Sequence, residues 1–315
     1  MVIKHIVISG GGPTGLMAYG AIKYLAQQGM WAYENIETIY GTSVGALIGA
    51  MLCLKHDWTT LDDYIIKRPW EKVLVQSLEM FELFACKGMA KLGLLDVVMQ
   101  PLLESKDLTL AITLSELHAR SGISLNLFTM ELNTFKKTQL SHVTHPNLPL
   151  MDAIKMSACM PILFQPIIRD GCCYIDGGII ANYPLHECMQ DTQCKYDEVL
   201  GIQNEWNRDN EGISEQSSFV EYMRFINLQL TRMVNDASPS YSIVHEVVCH
   251  VKPGVTPAEW FSIMSDAGQR LAWIDAGIAF GQQAIKADKN DPDKDDPDKN
   301  DPDKDDPDKD DEKMA

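Results

Sequence analysis

Short, mostly apolar runs alternate along the chain with longer segments whose apolar residues recur every three or four positions, the pattern of buried strands joined by helices. Residues 2–9 read as a buried strand. Gly10-Gly-Gly-Pro-Thr-Gly15 follows, then a helical run over residues 16–28 that Gly29 stops. Residues 36–40 read as a second strand, Gly41-Thr-Ser-Val-Gly45 as a turn, and residues 44–54 as an apolar helix. Strand, glycine loop, helix, strand, helix predicts the opening of a parallel α/β fold.

Beyond it, residues 61–103 are helical but irregular, with breaks at Pro69 and Pro101. Residues 113–120 predict a short capped helix, 125–132 and 137–143 strands, and 150–157 a helix ending before Pro161. Residues 199–203 and 244–251 read as further strands. Residues 217–235 and 258–285, the latter broken near Gly268, read as amphipathic helices. From Asn290 the character changes to NDPDK and DDPDK units with a period of five. Proline in each unit and almost no apolar side chains leave nothing to offset the entropy of ordering. The expected organisation is one domain over residues 1–286 and a disordered acidic tail over 287–315. Asp291, Asp293 and Asp295 copy the start of a calcium loop, but Asp296 stands where its glycine belongs and Pro302 where its last carboxylate belongs, so no calcium site is expected.

Composition narrows the class. With 45% hydrophobic and 23% charged residues in 315, the chain is long enough for a core without disulfides or metals. Its net charge is −17, of which residues 288–315 carry −8. The remaining −9 repels phosphate backbones, which argues against a nucleic-acid partner. Eight scattered cysteines with no C-x-x-C pair predict free thiols in a reducing compartment. The N-terminus has no small-residue cleavage site. Residues 38–54 are uncharged but short of a membrane span and interrupted by glycines, so no transmembrane segment is expected. The expected location is cytoplasmic, peripheral at membranes.

Three segments carry chemistry. Gly41-Thr-Ser43-Val-Gly45 is a G-x-S-x-G turn between a strand and a helix, a shape that exposes a strained serine at a helix N-terminus. The bland alternative is a packing turn with an idle serine. Gly10 to Gly15 offers a run of backbone N–H groups suited to an anion or a transient oxyanion. It also matches G-x-G-x-x-G, but the second strand ends in Gly41-Thr-Ser where a dinucleotide site needs an acidic residue. Asp176 ends an apolar run and precedes Gly177 and Gly178. It is placed either to act as a base for Ser43 or simply to make a turn. None of the eight histidines lies in a motif.

Taken in order, four pieces make the chain resemble the patatin-like phospholipases: the glycine loop Gly10 to Gly15, the elbow Gly41 to Gly45, the block from Ser157 through Pro161, Phe164 and Pro166, and Asp176-Gly-Gly with Asn182 and Pro184 downstream. The resemblance spans residues 2–184. It implies a three-layer α/β/α sandwich with a mostly parallel central sheet. It also implies a Ser43–Asp176 dyad without histidine, and an oxyanion hole from the backbone N–H groups of Gly10, Gly11 and Gly12. Gly15, Gly41, Gly45, Gly177 and Gly178 would support those loops. Neither metal nor cofactor is implied. The implied partner is a lipid ester at a membrane or micelle surface, cleaved by hydrolysis. Transfer of the acyl group to an alcohol, or a silent lipid-binding scaffold, are the alternatives. The chain departs from the pattern at Thr14, where many members carry Arg or Lys. The apolar, lysine-flanked stretch over residues 70–95 reads as a packed helical cap or as an interfacial lid.

Overall fold

His5–Ile8 (β1) is buried at every position, and its neighbouring side chains leave in opposite directions. Ile6 and Ile8 join the larger of the buried clusters, Val7 a second one on the other face of the sheet. A strand covered on both faces can be apolar throughout, which is why the run carries no alternation. The computed structural model describes residues 2–72, 87–90, 92–206, 212–239, 241–251 and 257–290.

In chain order β1 is followed by α1 (Gly15–Gln27), β2 (Thr38–Thr42), α2 (Val44–Cys53), α3 (Trp58–Asp62), β3 (Gly88–Ala90), α4 (Gly93–Glu104) and α5 (Leu114–Ser121). Then come β4 (Ser124–Glu131), β5 (Lys136–Leu140), α6 (Leu150–Ala158), β6 (Ile162–Phe164), β7 (Ile167–Arg169), β8 (Cys172–Asp176), α7 (Gly178–Ala181) and α8 (Leu185–Thr192). β9 (Val199–Trp206), α9 (Phe219–Asp236), β10 (His245–Val251), α10 (Pro257–Ser265) and α11 (Ala267–Asn290) complete the described chain. The main sheet runs β10-β9-β1-β2-β4-β8-β7, with β5 also on β4. The five strands from β10 to β4 are parallel, β5 and β8 run antiparallel to β4, and β7 runs antiparallel to β8. Residues of α1, α2, α4, α5, α6 and α11 cover one face, and residues of α7 and α8 the other. The result is the three-layer α/β/α sandwich.

The register of β4 fixes where the chemistry lies. Phe128 pairs with both Thr42 of β2 and Gln139 of β5, and Thr129 with both Asp176 of β8 and Thr138 of β5. β5 therefore holds one edge of β4, while β2 and β8 share the other. One is parallel to β4 and one antiparallel, so their C-terminal ends meet. Thr42 stops opposite Phe128, Asp176 stops opposite Thr129, and the next residue after Thr42 is Ser43.

The sequence reading differs from this in instructive places. β3, β6 and β7 have three residues each, too short to show a period, and β6 and β7 are only partly buried. The C-terminal break expected near Gly268 falls at Asp266, whose carboxylate accepts the Gln269 N–H at 2.7 Å and starts α11 there. The centre of the stretch read as a cap or lid, residues 73–86, lies outside the described residues, as does the repeat from residue 291 on. All seven described cysteines are free. No helix among the described residues is long and apolar enough to cross a membrane.

Arg270, on α11, is 1% exposed and donates to the carbonyls of Ile65, Ile66, Arg68 and Met264. It ties the turn after α3 to the C-terminal helix, satisfying four backbone acceptors. Arg270→Met keeps the volume and strands those carbonyls. The expected cost is about 3 kcal/mol, read as a fall in Tm of roughly 5–10 °C by calorimetry. An unchanged Tm would mean the clamp contributes nothing.

Candidate active site

The turn from β2 into α2 is made by a strained serine between two glycines. Ser43 has φ 55° and ψ −119°, a left-handed conformation that costs a non-glycine residue on the order of 1–3 kcal/mol. What holds it there is the closeness of the neighbouring strand. A Cβ on Gly45 would lie 2.3 Å from the carbonyl oxygen of Ile8, so α2 can start against β1 only with glycine at that position. The Ser43 N–H donates to the buried hydroxyl of Ser157 at 3.0 Å, and Thr42 donates its hydroxyl to the Ala181 carbonyl at 2.7 Å. Ser43 itself is 8% exposed and lies at the N-terminus of the ten-residue α2.

Asp176 reaches the same place from the opposite direction. It is 3% exposed. Its Oδ1 accepts the Gly178 N–H at 2.6 Å, whereas Oδ2 is buried without a hydrogen-bond partner among the described residues. Burial raises its pKa to about 6, and the Gly178 N–H and the nearby Ser43 hydroxyl pull in the other direction. The carboxyl is thus fixed by one oxygen and left with the other unpaired beside the serine. No histidine is among the groups that act on it. Thr129 donates its hydroxyl to the carbonyls of Met156 and Ile175, and the Gly177 N–H donates to the Ser157 carbonyl, so α6, β4 and β8 are locked together at this point.

The glycine loop lies alongside. Gly12 has φ +60°, the conformation that glycine adopts without penalty. One expected donor drops out here. The Gly10 N–H donates to the Asn182 carbonyl at 2.9 Å, so it serves the loop's anchorage and is not free for a ligand. The N–H groups of Gly11 and Gly12 have no such partner among the described residues. Thr14 is fully buried, and its hydroxyl donates to the Gly11 carbonyl at 3.0 Å. The position thus closes the loop and carries no charge towards the site.

Several residues that no local motif marks complete the surroundings. Asn204, at the end of β9, donates its side-chain N–H to the Gly10 carbonyl at 3.2 Å. Asn235, near the end of α9, accepts the Asn182 N–H at 2.9 Å and donates to the Gly178 carbonyl at 3.0 Å, holding the turn that follows Asp176. Trp260 of α10 packs its ring against Gly12. A cavity of about 590 Å³ opens over Gly11, Ser43 and Asp176, with apolar walls from Met160, Leu163 and Leu228 among others, and with Arg224 and Arg232 of α9 at its border. A hydroxyl in a strained turn and a carboxylate at one cavity, with the unpaired N–H groups of the glycine loop alongside, form an arrangement able to attack a carbonyl and hold the resulting oxyanion.

The chain has relatives among known proteins. Residues 6–189 match the family model described as patatin-like phospholipase. The chain is 25% identical over 293 residues to the uncharacterized protein R571 of Acanthamoeba polyphaga mimivirus, covering 90% of this chain and 94% of that protein. It is 23% identical over 240 residues to the probable lipid hydrolase 463L of Invertebrate iridescent virus 6, covering 74% and 78%. Among solved structures it resembles VipD from Legionella pneumophila, with a TM-score of 0.55 and 15% identity over 91% of this chain and 67% of VipD. That last likeness is one of fold.

Proposed function

The chain belongs to the patatin-like phospholipase family, and from that premise we propose that it hydrolyses lipid acyl esters through a Ser43 acyl-enzyme, with Asp176 as the base. The observation that carries this reading is the meeting of β2 and β8 on one edge of β4. It sets a strained serine beside a buried carboxyl whose Oδ2 has no other partner.

In the first half-reaction the Ser43 hydroxyl gives its proton to Oδ2 of Asp176 as its oxygen bonds to the ester carbonyl carbon. The carbonyl π pair moves onto oxygen, and the N–H groups of Gly11 and Gly12 receive that charge. Each such donor lowers the barrier by on the order of 3 kcal/mol. Collapse of the intermediate restores the C=O bond and breaks the bond to the alcohol oxygen, which takes the proton back from Asp176. Water then repeats the sequence on the acyl-serine and releases a fatty acid. The N-terminus of α2 lies under the developing charge and favours it. The apolar cavity walls suit an acyl chain.

A base with a pKa of about 6 gives the reaction a definite pH dependence. Below that value the carboxyl is protonated and cannot accept the serine proton. With a short-chain ester that does not titrate, kcat/KM is expected to rise about tenfold per pH unit up to roughly pH 6 and to level off above it. A rate independent of pH between 4 and 8 would contradict Asp176 as the base.

A further inference from the structure

α9 has two unlike faces. At 100° per residue, Arg224, Asn227, Leu228, Thr231, Arg232 and Asn235 lie on one side, and all six border the cavity that holds Ser43. Phe219, Tyr222, Leu230 and Met233 lie about 170° away on the other, with Ile226 between them. That outer stripe faces solvent: Phe219 is 69% and Met233 65% exposed, with Tyr222 and Leu230 close to half. No charged residue interrupts it, and none of the 18 residues of the helix is buried. Water is a poor partner for so large an apolar face on one helix.

We propose that the outer face of α9 is the docking surface for a zwitterionic phospholipid layer, from which the cavity draws its substrate. The inference rests on the hydrolase reading above and says where that enzyme meets its lipid. Charge decides between lipid surfaces. The chain carries −17, which opposes anionic lipid, while the stripe is uncharged and gains by entering acyl chains. Arg224 and Arg232, at the cavity border on the same helix, complement the phosphate that every zwitterionic phospholipid presents. A lipid layer that takes the stripe therefore sits about one helix diameter, roughly 10 Å, from the cavity wall. The Ser218–Glu221 capping box fixes the start of the helix, so the face exists before any lipid arrives.

The test uses the full chain carrying Ser43→Ala, so that lipid is not consumed, floated with phosphatidylcholine vesicles. The protein is expected to float with them, and the Phe219→Ser/Met233→Ser pair to lower the bound fraction on the order of tenfold. The Phe219→Leu/Met233→Leu pair retains an apolar stripe and is expected to keep binding, which separates loss of the face from loss of the fold. With Ser43 intact, the serine pair is expected to cleave a water-soluble short-chain ester at the parent rate while losing about tenfold on vesicle lipid. Flotation unchanged by the serine pair overturns the proposal, as does a stripe-dependent dimer in sedimentation that ignores vesicles. Stripe-dependent flotation by a chain that cleaves neither ester would uphold the docking face and sink the hydrolase reading.

Discussion

Replacing Ser43 with alanine is expected to lower kcat/KM for a lipid ester by on the order of 10⁴-fold or more while leaving the fold intact. The two halves of this expectation have separate causes. The chemistry is lost because alanine offers no hydroxyl to the free oxygen of Asp176, and water held in its place is a much poorer nucleophile towards an ester. The fold survives because the backbone strain at φ 55° is met by glycine contacts and by the Ser43 N–H bond to Ser157, none of which uses the Ser43 side chain. Alanine is no worse than serine in that conformation. Fatty-acid release followed alongside thermal unfolding checks both. Turnover near the parent rate in the folded variant would remove Ser43 from the mechanism.

Asp176→Asn is expected to do two things that point in opposite directions. Activity falls by about 10³-fold or more, because an amide cannot take the serine proton. Stability rises at neutral pH. In the folded chain burial lifts the carboxyl from its ordinary 3.8 to about 6, so the folded state holds a proton that the unfolded state releases between those two values. Stability therefore declines as pH rises from about 4 to about 6, and above that the full penalty is present, roughly 3 kcal/mol by the size of the shift. Asparagine keeps an acceptor for the Gly178 N–H and never becomes charged. Its Tm should equal that of the parent chain near pH 4 and exceed it by several degrees near pH 8. Equal melting at both pH values would mean that the carboxyl is not held in a desolvated site. A lower Tm for the variant at pH 8 would mean that its charge is stabilised there.

The site was legible in the sequence where the demand on the residue is local. Gly41 and Gly45 flank a serine because a turn between touching strand and helix admits nothing larger, and that steric demand leaves a five-residue mark. The strands around it could be read because both faces of β1 and β2 are covered. What the sequence does not show is how donors and acceptors pair across the fold. Gly10 looks like Gly11 and Gly12 in the motif, yet its N–H is taken by the carbonyl of Asn182, far along the chain. Asn204 and Asn235 support the loop and the Asp176 turn from segments with no motif of their own, since a single amide side chain has no period to detect. Thr14 is a similar case. Its side chain is used inward, to close the loop, and the arginines bordering the cavity come instead from α9, roughly 200 residues later in the chain. The helical period of α9 was visible, but not that its outer apolar face stays uncovered, because a sequence pattern gives the width of a stripe and not its partner.

The account stands on Ser43 being a nucleophile activated by Asp176, and labelling with a fluorescent fluorophosphonate tests that most directly. The folded parent chain at pH 8 is expected to take up one label, located on Ser43 by mass spectrometry of the peptide. Ser43→Ala should take up none, and Asp176→Asn should label far more slowly. Label on a different serine, or labelling of Ser43 that is equally fast in Asp176→Asn, would contradict it.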